Sequence, residues 1–259
     1  MNQNLKPNMF KIFWLESKYE FFKSLRIPVF AISTIAFPTI FYVMFGLSFN
    51  QGLLGKLNTA TYYLASYGTF GVIGAALFGF GVGIASERGQ GWMRLKRASP
   101  MPPLAYFFAK LIMAAIFGAI IVIILLILGI LFGGVSLTIT QIIKLLAILI
   151  LGTIPFAAMG MAMGYIAGPN SAPAIVNLVY LPMAFASGLW VPIQFLPKLV
   201  KQIAPFLAPY HLSKLALAAV GAKPDQATWQ HLGVLAIYTV VFLILAVFLY
   251  RRDDGKTYG

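Results

Sequence analysis

The residues best suited to chemistry lie in one interruption between two long apolar runs: Ser86-Glu87-Arg88-Gly89-Gln90-Gly91-Trp92-Met93-Arg94-Leu95-Lys96-Arg97-Ala98-Ser99-Pro100. Charged side chains around a tryptophan suit the engagement of something outside a membrane. They do not suit bond-breaking. The chain carries no paired-carboxylate motif, no His-Glu-x-x-His and no Gly-x-Ser-x-Gly. Gly52-Leu53-Leu54-Gly55-Lys56-Leu57 lacks the spacing and the Ser/Thr of a nucleotide-binding loop. With no cysteine, and with His211 and His231 twenty residues apart, no metal site is expected, and both histidines read as interfacial or loop residues.

The elements that must position this segment are set by hydropathy. Of 259 residues, 60% are hydrophobic and 10% charged, and the mean hydropathy is +0.88. That composition belongs to an all-α polytopic membrane protein. About 20 apolar residues cross a hydrocarbon core about 30 Å thick, so the gaps between formal charges act as a ruler. Uncharged stretches at Ile27 to Gly55, Leu57 to Ser86, Leu111 to Ile143 and Gln226 to Tyr250 each hold one span. The stretch Leu145 to Pro197 is long enough for two, broken at Gly168-Pro169-Asn170-Ser171-Ala172-Pro173. Six spans are expected in one transmembrane domain, 1–259, at 28–48, 62–85, 105–133, 144–167, 173–194 and 229–250.

Thirteen lysines and arginines fall on the side of both termini and the 86–110 segment, and six on the other: Lys56, Lys144, Lys198, Lys201, Lys214 and Lys223. The bias places both termini in the cytoplasm of a multi-pass cell-membrane protein. It also accounts for the net charge of +13 through membrane lipids, without nucleic acid. Residues 5–26 read as an interfacial helix, with Phe10, Trp14, Phe21 and Leu25 toward lipid and Glu16, Glu20 and Lys23 opposite. An N-terminal extension of the first span is the alternative. Small residues at Gly71, Ala75, Gly79 and Gly83, and at Gly160, Gly164 and Gly168, mark close helix approach. All six acidic residues fall outside the expected spans, which disfavours an ion-coupled carrier.

Locally, residues 86–100 read as a short cytoplasmic helix. Ser86 is its cap, Glu87 sits at the positive end of its dipole, and Arg94, Lys96 and Arg97 sit toward the other end. Charge alone equally allows a basic loop.

In order and context, the chain resembles the permease subunits of type-two ATP-binding-cassette (ABC) exporters. The resemblance rests on the surface helix before span one and on Glu87-Arg88 through Ser99-Pro100 after span two. It continues in Ser187-Gly188-Leu189-Trp190-Val191-Pro192, Leu196-Pro197, and Pro205-Phe206-Leu207-Ala208-Pro209-Tyr210-His211-Leu212 before span six. It implies that 86–100 is a coupling helix docking on an ABC ATPase subunit through Glu87, Arg88, Trp92, Arg94 and Arg97. Gly91-Trp92 departs from the residues many relatives carry there. It further implies re-entrant external helices across 195–225, where an outer-leaflet amphipathic helix is the alternative, and a homodimer or heterodimer of permeases. Spans two and five would line a substrate path carrying Asn177, Tyr180 and Ser187. No catalytic residue, metal or cofactor is expected in the chain, since ATP and magnesium would be bound by the partner. The cargo would be amphipathic, drug-like or lipid-like, exported from a bacterial inner membrane. A stand-alone secondary transporter or channel is the alternative.

Overall fold

Inside a bilayer each backbone N–H and C=O must find a partner within the chain, so apolar runs of this length resolve into helices. The computed structural model describes residues 8–48, 52–54, 57–99, 101–223 and 226–252, and excludes the side chains of Arg94 and Arg97. Among the described residues five helices are long and apolar enough to cross a membrane: α2 (Pro28–Ser48), α3 (Thr59–Gly89), α5 (Pro103–Phe132), α6 (Ile139–Ile166) and α10 (Thr228–Arg252). The helix expected at 173–194 differs. α7 (Ala172–Ala186) has 15 residues, about 22 Å at 1.5 Å per residue and short of a full crossing. The chain then turns at Gly188, whose φ of 79° suits glycine.

Two expectations about the short helices need correction. Ser86 does not cap a separate helix. Residues 86–89 are the last turn of α3, a 31-residue helix, and the short helix α4 (Trp92–Ala98) begins only after Gly91, at φ 75°, with no side-chain cap. In the N-terminal helix α1 (Met9–Leu25) the aromatic stripe stays outward, as a lipid-facing stripe does, but the opposite, polar face turns into the bundle rather than to water. Its buried residues are Ser17, Glu20 and Ser24, whereas Phe10, Trp14 and Leu25 are exposed. Acidic and small residues turn inward because α5 offers α1 a lysine and aromatic edges. Phe13 meets Phe108 and Phe21 meets Phe117 at centroid distances of 5.3 and 5.7 Å.

α3 occupies the centre of the bundle, and most of its apolar window is buried. Its small residues pack within the chain. A Cβ at Gly71 would meet Ile121 at 2.7 Å, and one at Gly79 would meet Met113 at 2.8 Å, both on α5. The α6 glycines do likewise: a Cβ on Gly164 would lie 2.9 Å from the Gly81 carbonyl and 2.9 Å from Ile84. Gly168 does not continue this contact, having only Ser171 near it. At Phe78–Val82 α3 widens into a π-turn, a local change of helical register of the kind found where helices are rerouted.

The segment between α7 and α10 contains α8 (Lys198–Ile203), which buries no residue, and α9 (Ala208–Ala219), which buries ten of its twelve. Leu212 on α9 lies against Gly152, midway along α6. Gln141, near the start of α6, donates to the Val220 carbonyl at 3.2 Å. The two contacts set α9 antiparallel along the first half of α6.

Gly164→Leu should destabilise the chain by about 1–3 kcal/mol through overpacking against α3, read as a lower unfolding midpoint in detergent. Gly233→Ala, at a position with nothing within 4 Å of the added carbon, should be neutral or slightly stabilising.

Candidate functional site

Four helices converge at the end of the bundle that carries both ends of the described chain. α1, α3 and α5 each bring ionisable groups there, and α4 lies beside them. Extending α3 to Gly89 carries Glu87 and Arg88 below the surface, where they are 6% and 7% exposed. Starting α5 at Pro103 places Lys110 two turns inside that helix, at 1% exposure. Placing all six acids outside the expected spans implies that none is buried, and that is corrected: Glu20, at 4% exposure, and Glu87 are both buried.

They are buried together, against lysines. The Lys110 ammonium donates to Glu20 Oε1 at 2.6 Å and to Glu87 Oε1 at 2.9 Å. Lys23 donates to Glu20 Oε2 at 2.5 Å and also pairs with Glu87. The Tyr106 hydroxyl donates to Glu87 Oε2 at 2.6 Å. Two carboxylates and two ammoniums cancel, the condition under which charge survives desolvation. Burial works to raise the Glu20 pKa. The neighbouring Lys110, aided by Lys23, outweighs burial and the repulsion of Glu87, so the carboxyl is held below its ordinary value of 4.5.

Arg88 turns to the other side. Its Nη1 donates to the Gly164 carbonyl at 2.6 Å and to the Ala167 carbonyl at 3.4 Å, capping orphan acceptors at the end of α6. Its guanidinium stands 5.4 Å from the Tyr165 ring, and Tyr165 packs on Tyr250 of α10. Glu87 and Arg88, adjacent in sequence, thus tie α3 to α1 and α5 on one flank and to α6 on the other. Gly89 makes the approach possible: a Cβ there would fall 2.2 Å from the Pro169 ring. A second ion pair, Lys96 with Glu16, joins α4 to α1, and the Lys96 ammonium lies 4.2 Å from the Tyr106 ring centroid.

Of the residues expected to contact a partner, Glu87 and Arg88 face into the bundle, not out of it. Trp92 is 48% exposed and Leu95 70%. The side chains of Arg94 and Arg97, and Pro100 at the segment's end, lie outside the described residues. Asn177, Tyr180 and Ser187 sit on or just after α7, apart from the ion cluster. Tyr180 is buried, stacked on Phe70 at 4.8 Å, and donates to the Phe70 carbonyl at 2.7 Å. Ser187 is buried with no hydrogen bond to its hydroxyl among the described residues, and Asn177 is half-buried.

Sequence reasoning missed Lys110, Glu20, Tyr106 and the meeting of the histidines. A signal for Lys110 existed: a lysine two turns after Pro103 is already inside a helix and calls for an acid. His211 and His231 are buried with Nδ1 atoms 2.9 Å apart. Nε2 of His211 lies 2.8 Å from the Pro205 carbonyl and so carries the proton. In the neutral pair His231 Nδ1–H therefore donates to His211 Nδ1. Among the described residues no group of three His, Cys, Asp or Glu could hold a metal.

Long apolar helices packed around a central helix define a multi-pass membrane protein. The chain belongs to the ABC-2 family transporter proteins, whose family pattern it matches over residues 54–248. It is 25% identical over 241 residues, 93% of its length and 97% of the relative's, to "Putative transport permease YvfS" of Bacillus subtilis (strain 168). It is 38% identical over 76 residues, 29% of each chain, to "Nodulation protein J" of Rhizobium leguminosarum bv. viciae. The chain is thus an ABC transporter permease, a family whose ATP hydrolysis is carried by a partner ATPase.

Lys110→Met should leave two buried carboxylates sharing the single ammonium of Lys23 and cost about 3–5 kcal/mol, read from denaturation in detergent. Glu87→Gln, which keeps one acceptor oxygen for Lys110 and offers its amide N–H to the Tyr106 hydroxyl, now as acceptor, should cost less. Because the folded Glu20 pKa is lowered, its contribution is fully present above about pH 4.5 and is lost as pH falls through the folded value. The unfolding midpoint should therefore decline on acidification below that point, and Glu20→Gln should flatten the decline.

Proposed function

We propose that this chain exports an amphipathic, drug-like or lipid-like cargo by alternating access, as a dimer of permeases driven by a separately encoded ATPase dimer. ATP and magnesium are then bound by that partner. The observation that carries the reading is α4, a short helix pinned by Lys96 and Glu16, which presents Trp92 and Leu95 outward. An exposed apolar pair on an anchored helix is what a partner groove takes up. α4 is then the coupling helix on the cytoplasmic side. Glu87 and Arg88 act behind it by holding α3 against α1, α5 and α6, and closure of the ATPases shifts the spans through these ties.

On this reading α9, lying beside the middle of α6 at Gly152, is re-entrant from outside. α7 turns its exposed Leu178, Val179, Leu181 and Phe185 toward the path between protomers. The burial of α3 supports α7 over α3 as the lining element. Tyr180 and Ser187, now turned inward, reach cargo only when the α3 and α7 contact opens.

Leu95→Asp and Trp92→Ala should each cut copurification of the partner ATPase by about tenfold or more, with the permease's own unfolding midpoint unchanged. Substrate flux in liposomes holding only this chain, with an ion gradient and no ATP, would instead establish a stand-alone carrier.

A further inference from the structure

A cavity of about 710 Å³ opens between α1 and α4, within the usual volume of a small-ligand site. Its walls carry four cations, Lys18, Lys23, Arg26 and Lys96, and two acids, Glu16 and Glu20. Both acids are committed: Glu16 to Lys96, and Glu20 to Lys110 and Lys23. Lys18 and Arg26 make no ion pair with an acid among the described residues, so the cavity keeps an uncompensated charge of two positive units. The remaining lining includes Trp92, Phe22 and Ile27. Ile27 directly precedes Pro28, where the first span begins, and Phe22 is 42% exposed. The cavity is therefore basic in its walls and apolar at the edge that meets the hydrocarbon.

We propose that this cavity binds the headgroup of an anionic phospholipid, with the phosphate between Lys18, Lys23 and Arg26 and the acyl chains leaving past Phe22 and Ile27. A soluble phosphate would satisfy the cations and leave the apolar edge unused. A zwitterionic lipid would satisfy the edge and bring no net charge. Only an anionic lipid meets both conditions. Because the site lies between the helix that bears Trp92 and the helix that holds it, a bound lipid braces α4 from the membrane side.

The test uses the full chain alone, without any ATPase, so its outcome is independent of the export reading. Native mass spectrometry in detergent, titrated with phosphatidylglycerol and with phosphatidylcholine, should show preferential retention of phosphatidylglycerol. Lys18→Gln and Arg26→Gln alter exposed side chains outside the buried cluster and should each weaken that retention by about fivefold. Lys144→Gln, on an exposed residue of α6, should leave it unchanged. Thermal unfolding should rise with phosphatidylglycerol and not with inorganic phosphate. Equal retention of the two lipids, unchanged retention in the Lys18→Gln and Arg26→Gln double variant, or equal stabilisation by inorganic phosphate would overturn the proposal.

Discussion

The end of this molecule is organised by one requirement: two carboxylates taken out of water must be matched by two ammoniums at hydrogen-bonding distance. Glu20 and Glu87 come from helices 67 positions apart in sequence, and Lys110 from a third. None of the three could be buried alone, because an isolated ion in a low-dielectric setting costs several kcal/mol. Their mutual neutralisation fixes where α1 lies along α5 and how deep the end of α3 sits. It also determines which face of α1 turns inward. Close glycine contacts between α3 and its neighbours are the apolar counterpart of the same arrangement.

Hydropathy made most of the architecture legible, since charge-free runs of span length have few folded forms in a bilayer. α2, α3, α5, α6 and α10 start and end within a few residues of where the charges place them. What escaped was anything that depends on partners distant in sequence. Glu87 counts as a loop residue when charge ends a span, yet a lysine on the neighbouring helix lets the helix run on through it. α1 keeps its aromatic stripe outward, but the polar face opposite meets Lys110 of a helix some ninety residues on rather than water. α7 is apolar for the length of a span and still stops at Ala186, where Gly188 and Pro192 allow the chain to fold back. The histidines are twenty residues apart in sequence and 2.9 Å apart in space, because α9 and α10 run side by side.

The two halves of the Glu87-Arg88 dipeptide divide the work between them. The carboxylate faces a lysine-rich flank and the guanidinium faces bare carbonyls at the end of α6. A helix places consecutive side chains about 100° apart, so one turn of α3 serves two neighbours without competition. Reversing the order of the pair would put each charge against the wrong surface. A count of charges alone cannot report that asymmetry.

Only Gln90 and Gly91 separate the last turn of α3 from the first turn of α4. So short a corner has little slack in which to dissipate a push. Any shift of α4 would therefore reach the end of α3 directly, beside the point where Arg88 holds that helix to α6. The π-turn at Phe78–Val82, where the helix is already wound more loosely, lies about two turns farther along the same rod. The wider coil thus lies between the α4 corner and the middle of the bundle, on the path that any rotation of the end of α3 would have to take.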